Sequence, residues 1–530
     1  MTDQHILLAT DLTDDALSLL SQTDRIAFQR VNPTLPALRA ALPTAHALIA
    51  RDDVHVDAAL IADAPLLRVI GRVGTSLSGI DIDAATGRGI LVMHTPGVNA
   101  VAASEHTFAL LLALCRRLVT AHNSLRDGYW LLDRKRQAGT QLQGKTLGVI
   151  GLGRVGSGVA ARALAFGMRV LAYDPYLPED QVIDERITLM SLRDLIARSD
   201  FVSLHVPATA ETRGLVSADL IAAMKPGARL INTAFGAAVD ETALAAALKD
   251  GKLAGAALDV YREEPPYASP LIGLDNVIHT PHIGDNTVEA AQDVSLLIAR
   301  QVIDALRGSD FRNVVNLPFI GMDFETARPA MQLAERMGAI LHTLARHPIR
   351  RVAVEYRGDD LSGLVKPLTV ALLKGMLTPS LGEKVNYVNA PVIAAERGIQ
   401  VMQAKGLKTG DYATAVSVQV TLEDGEQIAI GGTLLDKREP HIVQINDYRL
   451  NFVPEGDLLI LGSYDQPGVI GKAGTLLASY GVNIATWQTG RAQPGGHTLT
   501  VVTLDEPLPM HVFEELTRQD FIRHAHQVRV

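Results

Sequence analysis

The stretch Thr146–Asp174, TLGVIGLGRVGSGVAARALAFGMRVLAYD, reads as strand, glycine turn, helix, strand and terminal acid in one continuous unit. TLGVI at 146–150 is an apolar run of strand length, and Gly151, Gly153 and Gly156 supply a G-x-G-x-x-G turn that opens a helix of small residues. The first glycine permits the tight turn, the second lets the backbone approach a pyrophosphate, and the third lets helix and strand pack closely. The free N–H groups of Arg154, Val155 and their neighbours then face the phosphates at the helix N-terminus. RVLAY at 169–173 ends in Asp174, near the roughly 20-residue offset of a ribose-binding acid. A carboxylate there accepts both ribose hydroxyls and repels a 2′-phosphate, so the pattern predicts NAD rather than NADP. Glycines alone would also describe an ordinary tight turn. Strand, helix and acid in register favour dinucleotide binding.

Outward from this unit the same rhythm continues. Before it, β-like runs at 6–9 (ILLA), 47–50 (ALIA), 67–71 (LRVIG) and 90–94 (ILVMH) alternate with helical patterns, predicting a smaller parallel α/β domain. After it, FVSLHVP (201–207), ARLINTA (228–234), GAALDVY (255–261) and NVIHTPH (276–282) complete a second doubly wound sheet. From about Phe319 a helical segment gives way to strand-like runs, an α+β domain over roughly 320–452. The tail reads βαββαβ, the order of a ferredoxin-like module.

Composition limits the partners. With 530 residues, 47% apolar and 20% charged, the chain has ample core for three or four domains. Its net charge of −9 (49 basic less 58 acidic residues) argues against a general nucleic-acid surface. Cys115 is the single cysteine, so no intrachain disulfide forms and a reducing, cytoplasmic setting is expected. MTDQHILLATD lacks the basic start of a signal peptide, and FALLLALC at 108–115 is too short to span roughly 30 Å of bilayer, so no membrane partner is expected. No metal ligand set is assigned.

With these segments in place, the chain resembles the long-form D-3-phosphoglycerate dehydrogenases, within the wider D-2-hydroxyacid dehydrogenase family, over nearly its whole length. The resemblance implies a substrate-binding domain (1–98 and 288–316), an NAD-binding Rossmann domain (99–287), an intervening allosteric domain (317–452) and an ACT domain (453–530). It implies NAD-dependent oxidation of 3-phospho-D-glycerate, a small anionic 2-hydroxy acid, at the entry to serine synthesis. Glu264 in DVYREEPP and His282 in HTPHIG occupy the family's acid and general acid/base positions. The chemistry needs such a pair: a base takes the hydroxyl proton, and a neighbouring carboxylate raises the imidazole pKa and fixes its tautomer. Separately, the two residues would be a loop histidine and a solvated charge.

The same matches place His205 and Pro207 of LHVP beside the cofactor, Thr233, Ala234 and Phe235 at its nicotinamide half, Asp259 at the nicotinamide amide and Thr107 on the cofactor side. For His205 a structural loop role weighs equally, and for Asp259 a capping role is a serious rival. Arg51, Arg72, Gly74, Thr75, Ser76, Asn99 and Arg134 fall at substrate positions, the last in a basic run that reads equally well as solvated charge. Asp465 and Asn483 fall where relatives bind L-serine between paired ACT modules, with cap and turn roles as the plain alternatives, and the resemblance implies a homodimer or homotetramer.

Three departures stand out. Phe235 replaces an arginine that relatives use as a bidentate clamp on the substrate carboxylate. Ser76 replaces a loop glycine, and Asp285 with Asn286 replaces small residues after His282. Two readings follow: an enzyme anchored by another cation such as Arg72 or Arg51, acting on 3-phosphoglycerate or another 2-hydroxy acid, or an NAD-binding regulatory homologue with impaired turnover. Retention of Glu264 and His282 favours the enzyme.

Overall fold

The computed structural model describes residues 3–130, 138–177, 184–319, 324–358, 361, 363–406, 412, 414–436 and 438–530. The chain forms two compact units. One comprises Met1–Asp11, Leu17–His94 and Ile298–Val530; the other comprises Leu12–Ala16 and Thr95–Leu297.

The second unit holds a seven-stranded parallel sheet. Its strands are β6 (Thr146–Ile150), β7 (Arg169–Tyr173), β8 (Ile187–Leu189), β9 (Phe201–Leu204), β10 (Arg229–Asn232), β11 (Gly255–Leu258) and β12 (Val277–His279), in the order β12-β11-β10-β9-β6-β7-β8. A parallel sheet needs cover on both faces, so its central strands are buried along their length and mostly apolar rather than alternating. Every residue of β6 and β9 is buried. Within β6, Leu147 and Val149 join the cluster of Phe108, Leu111 and Val159, whereas Ile150 joins that of Val202, Leu204 and Leu230. The chain leaves β6 for β7 on one side and returns to β9 on the other, creating the crevice at which such sheets bind ligands.

The first unit holds three sheets. Strands β1 (Gln4–Ala9), β2 (Ile26–Arg30), β3 (Ala47–Ala50), β4 (Val69–Arg72) and β5 (Leu91–Met93) form a parallel sheet in the order β2-β1-β3-β4-β5. Strands β13 (Ile349–Arg357), β14 (Gln400–Gly406), β15 (Ala415–Leu422), β16 (Gln427–Leu435), β17 (Glu439–Ile445) and β18 (Tyr448–Phe452) form a mixed sheet in which only the β13–β14 pair is parallel. The helices Phe324–Leu344 and Val365–Leu381 cross closely because Gly375 has no side chain; a Cβ there would lie 1.8 Å from the Glu335 carbonyl oxygen.

The last sheet is antiparallel, β19 (Asp457–Tyr464), β20 (Ile484–Arg491), β21 (His497–Leu504) and β22 (Ile522–Arg529), ordered β20-β21-β19-β22. With the helices Val469–Ser479 and Met510–Thr517 it has the βαββαβ order expected of the tail. Its strand β19 is apolar on both faces for a visible reason: Leu458 and Ile460 pack into the core shared with the mixed sheet, Leu459 and Leu461 into the module's own.

The α/β class and the two parallel sheets agree with the sequence reading, with two differences. Strands β2 and β8 were not foreseen, because an edge strand buries little: in IAFQR no residue is fully buried. The run FVSLHVP leaves the sheet after Leu204; the amide of His205 makes the last rung, to the Ile150 carbonyl at 2.7 Å, and Pro207 has no N–H to continue.

Candidate active site

The glycine turn takes the form its sequence requires. Gly151 has φ +91°, and a Cβ on Gly156 would stand 2.0 Å from the Gly151 carbonyl oxygen. Gly153 caps the helix Arg154–Ala165, whose first-turn amides, including those of Arg154 and Val155, have no partner within the helix. The Arg154 guanidinium folds back onto the Pro96 carbonyl. Register pairs Ile150 with Tyr173, which sets Asp174 beside the turn; its carboxylate accepts from Leu152 N at 2.9 Å and Tyr176 N at 3.0 Å. Nothing lies within 4 Å of where a Cβ on Gly153 would stand, so the backbone of the turn is open to a close approach there. The donor set and the acid therefore suit NAD.

Glu264 and His282 meet, although 18 positions separate them. His282 Nδ1 lies 2.8 Å from Glu264 Oε2, and Glu264 Oε1 accepts the Tyr261 amide at 3.1 Å. Desolvation lowers the His282 pKa, but the hydrogen bond and charge of Glu264, aided by Asp259 and Asp285, outweigh it and raise the pKa above its ordinary value. The side chain remains more than half exposed, and Nε2 is the ring nitrogen that Glu264 does not hold. His282 sits at φ +54°, held there by its amide bonding the Asp259 carbonyl at 2.9 Å.

Asp259 serves this loop. Buried at the end of β11, it accepts from Thr280 Oγ1 at 2.6 Å, Ile283 N at 2.9 Å and Gly284 N at 2.8 Å, and His106 Nε2 lies 3.4 Å away. Its carboxylate thus pins both sides of His282. His106 was not singled out by sequence; no local motif links it to Asp259, 153 positions away.

His205 contrasts with His282. Its Nε2 bonds Ser203 Oγ at 2.8 Å, its Nδ1 is buried without a partner, and burial pushes its pKa down to about 3. Its carbonyl oxygen packs on the turn, 2.5 Å from where a Gly151 Cβ would be. Pro207 is exposed, and its carbonyl accepts Thr212 Oγ1.

After β10, buried Asn232 shapes the loop that follows. Its Oδ1 accepts the amides of Ala234 at 3.1 Å and Phe235 at 3.3 Å, and its Nδ2 donates to the Phe235 carbonyl at 2.9 Å. The Phe235 ring packs against the core beneath β9 to β11, with the Arg213 guanidinium 5.8 Å from its centroid. Thr107, fully buried, bonds Thr233 Oγ1 at 2.8 Å and the Ala103 carbonyl at 2.7 Å. Asn99 donates to Asp285 Oδ2 at 2.7 Å, so two residues marked separately in the sequence are joined.

In the first unit, Arg72 is 1% exposed, and its guanidinium donates to the carbonyls of Val54 and Ser78. It therefore ties together the backbone on either side of its own loop. Desolvation lowers its pKa, opposed by Asp52 and Asp53. Gly74 has φ +107°, whereas Ser76 keeps an ordinary backbone and bonds Ser78 Oγ at 2.8 Å. Thr75 and Arg51 are exposed, and the Thr75 carbonyl meets His94 Nδ1 at 3.1 Å. Arg134 lies outside the described residues. In the last sheet, Asp465 accepts from Gly495 N at 2.8 Å and lies 3.7 Å from Arg491, while Asn483 donates to Asp505. Among the described residues, no group of three or more His, Cys, Asp or Glu is placed to hold a metal, and no helix is long and apolar enough to cross a membrane.

Comparison with known proteins accords with this site. Residues 108–284 match the D-isomer specific 2-hydroxyacid dehydrogenase NAD-binding domain, and residues 326–446 match the D-3-phosphoglycerate dehydrogenase intervening domain. D-3-phosphoglycerate dehydrogenase from Archaeoglobus fulgidus is 39% identical, covering 99% of this chain and 100% of that protein; the Synechocystis enzyme is 40% identical, covering 92% and 88%. Among solved structures, D-lactate dehydrogenase from Aquifex aeolicus complexed with NAD and lactic acid is 31% identical, with TM-score 0.51, over 58% of this chain and 96% of that one.

Proposed function

Because the chain belongs to the D-3-phosphoglycerate dehydrogenase family, we propose that it oxidises 3-phospho-D-glycerate to 3-phosphohydroxypyruvate with NAD, the first step of L-serine biosynthesis. The Glu264–His282 pair carries this reading. Gly151, Gly153, Gly156 and the amides of Arg154 and Val155 are assigned to the pyrophosphate, Asp174 to the ribose, and the segment Thr233–Phe235 with Thr107, His205 and Pro207 to the wall of the nicotinamide half. NAD, when bound, supplies the acceptor for the hydride from the alcohol carbon. Neutral His282 takes the hydroxyl proton at Nε2, and the imidazolium that forms is stabilised by Glu264 at Nδ1. Asp259 acts through His282 by fixing its loop. Thr75, Ser76, Gly74, Arg51, Asn99 and Arg134 are assigned to the anionic substrate, with Arg72 supporting the loop.

The deciding assay measures NADH formation with 3-phosphoglycerate and a panel of 2-hydroxy acids, alongside NAD binding. NAD binding without turnover on any of them would leave the regulatory reading. Phe235→Arg is expected to raise kcat/KM for 3-phosphoglycerate by roughly tenfold or more, since a bidentate charged contact is restored; an unchanged rate would show that another residue holds the carboxylate.

We further assign L-serine to the paired ACT modules at Asp465 and Asn483, in a cytoplasmic homodimer or homotetramer. Supporting this, Asn483 is exposed and Asp465 half-buried, and the ligand's ammonium and carboxylate match an acid and an amide. Inhibition by millimolar L-serine that Asp465→Ala abolishes is expected; no change in rate or melting temperature counts against it.

A further inference from the structure

We propose that a cavity in the first unit, between the parallel sheet and the helix pair of the mixed sheet, binds a small organic anion: a carboxylate or phosphate carried on a planar apolar body. The cavity measures about 280 Å³ and is lined by Arg68, Arg328 and Lys374 together with Phe311, Phe324 and Tyr387. This is near the lower end of ligand pockets, roughly 300 Å³, and suits a molecule with a single ring.

Its charge is one-sided. All the charged side chains that line it are cations, and no carboxylate does so among the described residues. The acids that restrain two of these cations do not themselves line the cavity: Glu335 pairs with Lys374 and accepts Tyr387 Oη at 2.8 Å, and Glu325 meets Arg328 at 2.7 Å. Arg68 has no ion-pair partner among the described residues. The Arg328 Nε is buried with no hydrogen-bond partner, although its neighbouring nitrogen donates to the Ser309 carbonyl at 2.8 Å. A buried guanidinium N–H without an acceptor is costly, and an anion in the cavity would supply one.

The apolar wall is equally organised. Phe311 stands edge-on to Phe324, at 5.0 Å and 89°, and to Tyr387, at 5.9 Å and 78°. Lys374 Nζ lies 4.6 Å from the Tyr387 ring centre and the Arg328 guanidinium 5.4 Å from that of Phe324. Cations held against rings put charge and apolar surface side by side, the pairing that an aryl or similarly flat anion requires. No residue assigned to oxidation lines this cavity.

The test is calorimetric titration of the full-length protein with phenyl phosphate, with benzoate and inorganic phosphate as companion probes. Phenyl phosphate or benzoate is expected to bind, and Arg68→Ala and Arg328→Gln each to weaken binding by roughly ten- to a hundredfold, the loss of one charge-assisted contact, while NADH formation persists. Arg328 also supports Ser309, so exposed Arg68 carries the test if Arg328→Gln fails to fold. Absence of binding by both aryl probes, or binding unchanged in Arg68→Ala, overturns the proposal. Inorganic phosphate binding as tightly as phenyl phosphate would overturn the apolar part.

Discussion

His205 and His282 belong to the same unit, follow the C-terminal ends of β9 and β12 in one parallel sheet and have opposite electrostatic fates. His205 has a neutral hydroxyl as its partner and a buried second nitrogen, so removal from water lowers its pKa to about 3. His282 is also desolvated, but Glu264 2.8 Å away reverses the sign and raises its pKa. One carboxylate thus separates a histidine that stays neutral while it braces the glycine turn from one that can alternate between base and acid.

This contrast breaks most sharply at His282. His282→Gln is expected to reduce kcat for oxidation by roughly 10²- to 10⁴-fold, measured as NADH formation, with NAD affinity retained. A small loss would mean that the proton goes elsewhere. Glu264→Gln should be next, with a fall of about 10- to 100-fold, by analogy with the cost of losing a partner that orients a functional histidine. It has a second signature. Oxidation needs neutral His282, so activity falls below its pKa; removing the negative charge lowers that pKa and moves the acidic limb of kcat/KM to lower pH. A limb that stays in place would detach His282 from the profile.

His205→Gln sharpens the comparison with the smallest effect on turnover, a few-fold at most, with no movement of the pH limb. Its effect belongs to stability. A histidine with a lowered folded pKa leaves the unfolded chain binding more protons, so its stability cost grows as pH falls from 6.5 toward about 3. Melting temperature in that window should therefore drop less steeply in His205→Gln than in the parent. His282 has the reverse linkage: its raised pKa favours the folded state below the ordinary value of 6.5, a contribution lost as pH rises through the folded pKa.

Much of the site was legible in the sequence because its parts are local. The turn Gly151–Gly156 and Asp174 occupy one strand–helix–strand unit, where spacing alone determines which backbone groups face a ligand. The Glu264–His282 pairing was legible through its flanking motifs. The roles of Arg72 and Asp259 were less so. The Arg72 guanidinium meets the carbonyls of Val54 and Ser78, and the Asp259 carboxylate is bonded across the His282 loop, partners that no local motif announces. Sequence gives the donor or acceptor; partners from other segments decide whether it is free.

Periodicity and glycine spacing by themselves determined the α/β class, the two parallel sheets, the βαββαβ tail and the dinucleotide turn, since these rest on contacts within about 30 residues or on whole-strand burial. Tertiary structure alone decided which histidine is neutral, that Asn232 shapes the loop carrying Phe235, and that Arg68, Arg328 and Lys374 converge on one cavity. Those outcomes depend on desolvation and on charges brought together from distant segments, and no linear spacing encodes either.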